Sequence, residues 1–483
     1  MKARELLFGI ELLEVCASLE EEISAVVTDT RAVKRDALFV CIAGTKFDSH
    51  TAAAEVFANG AALLVSEQKL EGVPYVLVAD THLAVSRIYA NLYGNPERKF
   101  SHVIGITGTN GKTSTSMMAR RIFEAAGHKV GLIGTTKYVV GDKEYDAPMT
   151  TPAPQDLFRY FAEMIDAGCD TLIMEVSSHS LSQKRVEGID FTVGVFTNLT
   201  QDHLDYHGTM ENYRREKEKL FSVCRQGVIN LDDPSSAYFF ESAKCPAASY
   251  GCGEADFAAR DLVVTAFGVE YRFVTPVGEA KIAVPIPGKF SAYNSMAAAA
   301  SALLSGIDLA TVAQALSAMP GVPGRVERQP NTGSVSVLID YAHTPDALLN
   351  VLLTLNDLPH GRIITLFGCG GDRDPKKRPI MGRIACENSD LVIVTSDNPR
   401  TEEPEDIIRD ILAGCDRKKV HAVITDRTEA IRRALTDAED GDVILLAGKG
   451  HEEYVIDKTG KHPYSEKAIV ADFYAQKKGE KTC

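Results

Sequence analysis

Residues 103–115 read Val-Ile-Gly-Ile-Thr-Gly-Thr-Asn-Gly-Lys-Thr-Ser-Thr, and this stretch decides the fold. A short β-branched run enters a glycine-rich turn, and Gly111-Lys112-Thr113 then leads into a predicted helix over residues 114–126. Glycines let the backbone curl so that successive N–H groups point at a phosphate, while Lys112 supplies a charge and Thr113 a hydroxyl for Mg²⁺. The strict Walker spacing is not met, because Ile106 stands where its first glycine belongs. A plain glycine-rich turn before a capped helix would not need Lys112, so the stretch predicts a nucleotide-phosphate loop.

Length and composition are those of an ordinary globular protein with several domains. A chain of 483 residues is too long for one core, so about three domains are expected. Apolar residues make up 45% of the chain and charged residues 24%, and no tract is of low complexity. The net charge of −14 argues against a nucleic-acid partner, which would need a basic surface.

The sequence gives no sign of a secretory or membrane segment. Its first residues lack a hydrophobic signal core, and no apolar run approaches membrane-spanning length. The ten cysteines are scattered without a Cys-x-x-Cys pair, which is typical of reduced thiols. We therefore expect a cytoplasmic protein without membrane insertion, and we expect it to be a monomer.

Two turn-rich stretches divide the chain into three expected domains. The first is Tyr93-Gly94-Asn95-Pro96, and the second is the Pro-Gly-Val-Pro-Gly-Arg run at residues 320–325. We expect a small N-terminal α/β domain at residues 1–98, a central domain at 99–328 and a C-terminal domain at 329–483.

Strands and helices alternate in the two larger domains. Central strands are predicted at 102–106, 171–176 and 193–197, with helices at 114–126 and 155–167 between them. C-terminal strands are predicted at 335–340, 362–367, 391–395 and 442–447. The alternation predicts an α/β fold with a mostly parallel central sheet and a Rossmann-like C-terminal domain. Ligands bind at the carboxyl ends of the strands in such sheets.

Several polar side chains are predicted at that edge of the central sheet. Glu175 ends one strand, where its carboxylate could hold Mg²⁺ opposite Thr113. Asp202-His203 follows the next strand, and His203 is either a ligand of a second Mg²⁺ or a loop or core histidine. Lys217 lies on a predicted helix at 211–221 beside Arg214, Arg215 and Lys219, and the sequence alone favours a solvated lysine there.

Two C-terminal stretches have the composition of anion or amino-acid binding loops. Residues 368–374, Gly-Cys-Gly-Gly-Asp-Arg-Asp, follow a strand, so their backbone can form a nest for a carboxylate. Asp397-Asn398-Pro399-Arg400 also follows a strand. Its arginine can grip a carboxylate bidentately, and its Asp and Asn can hold an ammonium group. A proline turn with a surface arginine is the alternative.

In this order the motifs closely resemble the Mur ligases of peptidoglycan synthesis, over essentially the whole chain. The phosphate loop, Glu175, residues 198–203 and Asn294 follow a pattern shared with folylpolyglutamate synthetases. More specific to the MurE type of the family are Thr150-Thr151-Pro152, residues 175–179, Tyr206-His207-Gly208, residues 340–346 and Gly450-His451-Glu452. The Asp397–Arg400 motif is similar to that of members that add meso-diaminopimelate, because lysine-adding relatives generally lack the arginine.

The resemblance implies an ATP- and Mg²⁺-dependent ligase. It would add meso-diaminopimelate to the D-Glu γ-carboxylate of UDP-MurNAc-L-Ala-D-Glu through an acyl phosphate. A lysine-adding MurE, a folylpolyglutamate-type ligase and, from another class, a P-loop switch protein are the alternatives. Arg400 argues against the first, and Thr150-Thr151-Pro152 is unexplained by the second.

The resemblance also implies roles for individual residues. Lys112, His203 and Lys217 would be catalytic, and Lys217 would be carbamylated (N6-carboxylysine), which makes it a carboxylate-like ligand. Mg²⁺ would be held by Thr113, Glu175, His203 and the Lys217 carbamate. ATP would contact Gly108, Thr109, Asn110, Gly111, Lys112, Thr113, Ser114, Asn294, Arg325 and Asp346.

The two other substrates have implied contacts as well. The uridine end would meet Thr28 and Thr30 with the loop Thr45-Lys46-Phe47. Thr30 replaces a serine common in the family, and the loop departs further from the family pattern. The muramoyl dipeptide would be held by Thr150, Thr151, Ser177, Gln183 and Arg185. Diaminopimelate would be held by Arg373, Asp397, Asn398, Pro399, Arg400, Gly448 and Glu452.

Overall fold

Three sheets of five, eleven and six strands organise the chain, and a two-stranded hairpin lies near its end. The computed structural model describes residues 1–44, 47–265, 268–330 and 332–480. The sheets follow one another along the sequence, so each forms the centre of its own domain.

The N-terminal sheet has the strand order β1-β5-β4-β3-β2. Its strands are β1 (Glu14–Cys16), β2 (Ala25–Val27), β3 (Ala37–Val40), β4 (Ala61–Ser66) and β5 (Tyr75–Leu77). Its helices are α1 (Ala3–Leu6), α2 (Ala53–Ala58) and α3 (Thr81–Leu92). Only β1 runs antiparallel to its neighbour. The buried run of β3 is typical of a strand covered on both faces.

The central sheet begins with the strand that feeds the phosphate loop. Its strands are β6 (His102–Thr107), β7 (Val130–Ile133), β8 (Lys137–Val140), β9 (Lys143–Asp146), β10 (Thr171–Glu175), β11 (Phe191–Phe196), β12 (Cys224–Asn230), β13 (Ala247–Gly251), β14 (Phe257–Thr265), β15 (Gly268–Thr275) and β16 (Gly278–Val284). Its helices are α4 (Lys112–Ala125), α5 (Pro154–Asp166), α6 (Ser178–Ser182), α7 (Leu204–His207), α8 (Met210–Glu218), α9 (Ser236–Ser242), α10 (Lys289–Leu304) and α11 (Leu309–Ser317).

The middle of this sheet is parallel. The strand order is β16-β15-β14-β13-β12-β11-β6-β10-β7-β8-β9, and β10 and β11 flank β6 in parallel register. Glu175 pairs with Ile106, and Phe196 pairs with Thr107, so all three strands end at one edge. Antiparallel strands extend both sides of the sheet at β8–β9 and β15–β16.

The C-terminal sheet has the order β17-β18-β22-β19-β20-β21. Its strands are β17 (Glu327–Arg328), β18 (Ser336–Asp340), β19 (Ile363–Phe367), β20 (Leu391–Val394), β21 (Val420–Val423) and β22 (Val443–Ala447), and β23 (Tyr454–Asp457) with β24 (Gly460–Pro463) forms the hairpin. Its helices are α12 (Pro345–Asn356), α13 (Lys377–Asn388), α14 (Pro404–Leu412), α15 (Arg427–Asp437) and α16 (Glu466–Glu480). Within the six-stranded sheet, all neighbouring strands are parallel except β17 and β18.

Each large sheet is covered on both faces. One central face packs on α4 and α10 through residues such as Ile122 and Ala298, and the other packs on α5 through Phe158 and Phe161. Two separate apolar clusters cover the faces of the C-terminal sheet. Within the described part of the chain, no helix combines the length and apolar character that a membrane span requires.

The predicted α/β fold with three domains is confirmed. The predicted strands are present with ends shifted by at most two residues, and helix 211–221 is α8 followed by a 3-10 turn, Lys219–Ser222. The phosphate-loop helix begins at Lys112, two residues earlier than predicted. Gly111 immediately before it has a φ of +85°, which is not helical, so the helix starts directly after this glycine. The antiparallel additions to the central sheet were not predicted. The domain limits 1–98, 99–328 and 329–483 stay a prediction, and β17 joins the C-terminal sheet from just before the second limit.

Candidate active site

A cleft of about 530 Å³ lies where the carboxyl ends of the central and C-terminal strands face each other. The central wall contributes the phosphate loop after β6 and the loops after β10 and β11. The opposite wall contributes the loops after β18, β19, β20 and β22. Polar groups from two sheets therefore meet in one volume, as expected for ligand sites in parallel α/β proteins.

The phosphate loop has backbone geometry that only glycine allows at two points. A Cβ on Gly108 would lie 1.9 Å from the Thr197 hydroxyl, and one on Gly111 would lie 2.4 Å from the Asn294 amide oxygen. Lys112 folds over the loop and donates to the carbonyls of Gly108 and Thr109, each at 2.8 Å. Burial lowers the pKa of its ammonium. Free N–H groups of a helix start and a lysine suit a phosphate chain.

The loop after β11 fixes the phosphate loop in place. The Asn110 N–H donates to the Asn198 amide oxygen at 2.9 Å, and the Thr197 hydroxyl donates to the Asn110 carbonyl at 2.6 Å. The Thr109 hydroxyl donates to the Thr200 carbonyl at 3.1 Å. Side chains that follow β11 therefore help to fix the backbone of the phosphate loop, which follows β6.

Three of the four predicted Mg²⁺ ligands line the cleft: Thr113, Glu175 and His203. The Glu175 carboxylate accepts from Thr135 twice, from its N–H at 3.0 Å and its hydroxyl at 2.8 Å. His203 has 39% of its side chain exposed, towards the cleft, yet desolvation by the surrounding walls lowers its pKa to about 3. The imidazole is therefore neutral at pH 7, as a ligand must be.

Lys217, the fourth, is buried beneath the phosphate loop. It is 1% exposed, its ammonium donates to the Gly108 carbonyl at 2.8 Å, and it lies 4.4 Å from the centre of the Tyr213 ring. Burial and the charge of Lys112 hold its pKa well below the usual range. The prediction of a solvated Lys217, which the sequence alone favoured, is wrong. Arg215 and Lys219 on the same helical segment are exposed.

These residues fit a magnesium ion that also takes phosphate oxygens and water. Mg²⁺ is usually held by one or two carboxylates together with substrate phosphates. Among the described residues no group of three or more His, Cys, Asp or Glu side chains forms a ready metal cage. An unmodified lysine cannot ligate as a cation, but a neutral buried amine can add CO₂ and become an anionic carbamate.

The predicted muramoyl-peptide residues form one hydrogen-bonded group at the rim. Arg185 donates to the Thr151 carbonyl at 2.7 Å and to the Gln183 side chain at 2.6 and 3.0 Å. The Thr151 hydroxyl donates to the Glu175 carbonyl at 2.8 Å and accepts from the Ser177 N–H at 3.1 Å. Thr150 joins them through the Thr135 hydroxyl at 3.0 Å. All but Gln183 line the cleft.

The C-terminal wall carries an acidic pocket around one buried lysine. Lys449 donates to the Asn398 amide oxygen at 3.0 Å and to the Tyr454 carbonyl at 2.9 Å. The Asp397 and Glu452 carboxylates lie 3.6 and 3.9 Å from its ammonium. Burial and the neighbouring Asp397 raise the pKa of Glu452. Two carboxylates against one cation leave the pocket suited to an ammonium group.

Two arginines flank that pocket. Arg400, with a φ of +53°, donates to the carbonyl of Gly371 at 2.8 Å, and Arg373 donates to the carbonyl of Asp372 at 2.9 Å. No carboxylate of the described residues lies within ion-pairing distance of either guanidinium. Burial and the charge of Arg373 lower the pKa of Arg400. Gly448 is required beside them, since a Cβ there would lie 2.5 Å from the Asp397 carboxylate.

Several polar contacts join the two walls. Asn110 donates to the Asp346 carboxylate at 2.9 Å, and Arg325 donates to the Thr113 hydroxyl at 3.2 Å. Gln201 donates to the Asp374 carboxylate at 3.4 Å, and the Lys377 ammonium lies 4.0 Å from Asp202. These contacts bring the predicted nucleotide residues Arg325 and Asp346 to the phosphate loop, and the third, Asn294 of α10, lies against Gly111.

The structure does not bring every predicted residue to the cleft. Thr28 and Thr30 lie in the N-terminal domain and are half-buried, away from the cleft lining, and Phe47 is 56% exposed. Thr45 and Lys46 lie outside the described residues. Ser114 and Pro399 belong to lining segments without lining the cleft themselves.

Sequence reasoning missed three polar residues of the site: Thr135, Lys377 and Lys449. Thr135 positions Glu175, and Lys449 organises the acidic pocket. The one available signal was position, because Thr135 and Lys449 follow β7 and β22 at the edge where ligands bind. Nothing in the sequence separates buried Lys377 from exposed Lys376.

The fold and cleft together define a class: a three-domain α/β protein with a phosphate loop facing a charged pocket of the C-terminal domain. Comparison with known proteins assigns the family. "Mur ligase middle domain" matches residues 106–302, and "Mur ligase, glutamate ligase domain" matches residues 324–450.

Individual relatives agree with these matches. The UDP-N-acetylmuramoyl-L-alanyl-D-glutamate–2,6-diaminopimelate ligase of Clostridioides difficile (strain 630) is 44% identical over 97% of this chain and 99% of its own length. A solved structure of a ligase of that name is 30% identical, covers 99% of both chains and has a TM-score of 0.70. A MurF ligase from Thermotoga maritima in complex with ADP, 16% identical over 95% of this chain and 98% of its own, shares the fold with a TM-score of 0.61. The chain belongs to the Mur ligase family, which confirms the predicted family and enzyme class.

Proposed function

We propose that this chain joins meso-diaminopimelate to the D-Glu γ-carboxylate of UDP-MurNAc-L-Ala-D-Glu, with conversion of ATP to ADP and phosphate, in peptidoglycan precursor synthesis. The observation that carries the proposal is the facing arrangement of the phosphate loop and the Asp397–Arg400 pocket across one cleft. Relatives that carry the name of this reaction, over nearly the full chain, support it.

Residues of the central wall carry out the first step, the formation of an acyl phosphate. The γ-carboxylate oxygen attacks the γ-phosphorus of ATP, ADP leaves, and an acyl phosphate forms. Lys112 and the N–H groups of the loop hold the phosphates in line, so catalysis here is mostly positioning and charge neutralisation. Thr151, Ser177 and Arg185 place the dipeptide carboxylate beside that loop.

Mg²⁺ bound by Thr113, Glu175, His203 and carbamylated Lys217 would neutralise charge on the phosphate oxygens. Thr135 keeps the Glu175 carboxylate oriented through two hydrogen bonds. The lowered pKa of Lys217 favours its neutral amine form, which can add CO₂ with loss of one proton to form the carbamate. The buried side of the phosphate loop then carries a negative group in place of a second cation.

The second step needs the C-terminal wall. A free amine of diaminopimelate attacks the acyl carbonyl, the C–N bond forms with loss of a proton, and phosphate leaves. Arg400 and Arg373 would bind the carboxylate at the end of diaminopimelate that does not react, and Asp397 and Glu452 its ammonium. L-Lysine has no carboxylate there, and binding it would leave Arg400 without a partner, which discriminates strongly.

The remaining assignments complete the proposal. The N-terminal domain would bind the uridine end through Thr28, Thr30 and the 45–47 loop. We place the reaction in the cytoplasm, in line with the free state of the nine described cysteines, and we propose a monomer, because both walls of the cleft come from one chain.

A ligation assay tests the function directly. The purified protein would receive ATP, Mg²⁺ and UDP-MurNAc-L-Ala-D-Glu with meso-diaminopimelate, with L-lysine or with no amine, and phosphate release and product mass would be read. We expect product with diaminopimelate alone. Product with L-lysine would support the ligase activity but contradict the role of Arg400 in selecting diaminopimelate. ATP hydrolysis that ignores both substrates would favour a switch protein, and product from a folate with glutamate would favour the folylpolyglutamate alternative.

A further inference from the structure

Lys377 is a buried cation that the C-terminal domain places in the cleft. It is the first residue of α13, it is 6% exposed, and it lines the cleft together with the phosphate loop. Its one ion pair within the described part of the chain is with Asp202 of the central domain, at 4.0 Å. Direct contacts between an ammonium and a carboxylate are about 2.7–2.9 Å. The two charges therefore attract each other without forming a direct hydrogen bond.

The other buried lysine of this domain shows what a structural lysine looks like here. Lys449 donates two hydrogen bonds of 2.9 and 3.0 Å and lies within 4 Å of two carboxylates. The Lys377 ammonium has no hydrogen-bond partner among the described residues. Desolvating an ammonium is costly unless an anion accompanies it. Asp202, at 4.0 Å, therefore offsets only part of the cost of desolvating the Lys377 ammonium.

The segment that carries Lys377 docks on the loop that supports phosphate binding. Gln201 reaches Asp374 at 3.4 Å, next to the contact between Asp202 and Lys377. The same loop holds the phosphate loop through Thr200 and contains His203. The C-terminal domain thus places the Lys377 ammonium beside the proposed site of phosphoryl transfer.

We infer that Lys377 is a catalytic residue that the C-terminal domain contributes to phosphoryl transfer, donating to the transferred phosphoryl group while Asp202 orients its ammonium. The inference rests on the proposed function. Its positive charge would stabilise the negative charge on the oxygens of the transferring phosphoryl group. Acyl phosphate would then form efficiently only when the domain that binds the amine is closed on the central domain.

Substitution at adjacent lysines tests this. Lys377→Met, Lys377→Gln and Lys377→Arg would be compared with Lys376→Met, which removes an exposed charge one residue away. Three quantities would be measured: kcat, KM for diaminopimelate, and ADP formed in a single turnover without amine. We expect Lys377→Met to lower kcat and the amine-free ADP formation alike, about 100-fold, with KM for diaminopimelate changed less than about threefold. Lys377→Arg should recover part of the loss, and Lys376→Met should match the unchanged protein.

The outcomes separate this inference from the proposed function. If the unchanged protein makes no product, the proposed function fails. If it makes product and Lys377→Met retains more than about a third of kcat, the inference alone is overturned. A rise confined to KM for diaminopimelate would assign Lys377 to the amine pocket and overturn it too. Failure of both Lys377→Met and Lys377→Gln to fold, judged by thermal unfolding, would assign the lysine to stability, which also contradicts the inference.

Discussion

On the central side of the cleft, Lys112 and the buried Lys217 donate only to carbonyl oxygens among the residues that the structure describes. On the C-terminal wall, Lys449 has an amide oxygen, a carbonyl and two carboxylates within 4 Å. Burial lowers the pKa of both lysines, and the charge of Lys112 lowers the pKa of Lys217 further. Among the described residues, Lys112 and Lys217 therefore lack the close carboxylates that Lys449 has.

The difference follows from what each wall binds. A site for a polyphosphate binds it more strongly when the cations of the site have no carboxylate partner in the protein, because the substrate supplies the negative charge. A site for an amino acid needs both signs at fixed positions, so its own charges are arranged in advance around Lys449, Arg373 and Arg400. The predictions below test whether that contrast decides function.

The largest effect is expected for Lys217→Ala. If its carbamate completes the Mg²⁺ site, its loss should lower kcat about 1000-fold, the upper end for removing one preorganised charged group. Activity should partly return when a small carboxylic acid is added, because its carboxylate can occupy the space left. Lys219→Ala, which removes an exposed lysine from the adjoining turn, is the matched control in the same kinetic assay. An equally active Lys217→Ala protein, without added acid or chloride, would refute the carbamate.

A smaller and selective effect is expected for Arg400→Ala. The kcat/KM for diaminopimelate should fall about 100-fold, because one hydrogen bond to a charged group contributes about 1.5–3 kcal/mol. The low rate with L-lysine should hardly change, since lysine has no carboxylate for this arginine. Arg417→Ala, which removes an exposed arginine of the same domain, should leave both rates unchanged. A parallel fall for both amines would mean that Arg400 acts on the fold and not on recognition.

The sequence predicted the alternation of strands and helices well, because strands such as β6, β10 and β19 are largely apolar and fully or almost fully buried. It also predicted that Glu175 ends a strand and that residues 198–203 and Asp397–Arg400 follow strands. Their position at the edge where the strands end follows from that. The antiparallel hairpins at β8–β9 and β15–β16 were not predicted. Their half-exposed strands carry a weaker hydrophobic pattern.

Burial of single lysines could not be predicted in the same way. Lys217 and Lys219 share a charged segment, and Lys376 and Lys377 are neighbours, yet one of each pair is buried. Which of them turns inward depends on contacts with residues about 100 or more positions away, such as Gly108 for Lys217 and Asp202 for Lys377. Local sequence does not contain that information, and the family resemblance supplied it for Lys217 alone.

The smallest effect is expected for Glu452→Gln, and it depends on pH. Only the ionised carboxylate attracts the ammonium of diaminopimelate, and burial together with Asp397 raises the pKa of Glu452 above its usual range. As pH falls through that raised pKa, Glu452 takes up a proton and KM for diaminopimelate should rise. Glu452→Gln should raise KM about tenfold at neutral pH, and its KM should no longer change over that acidic range. Glu453→Gln, an exposed neighbour, should retain the original profile. An unchanged acidic limb in Glu452→Gln would assign the titration to another group and leave Asp397 as the main acceptor of the ammonium.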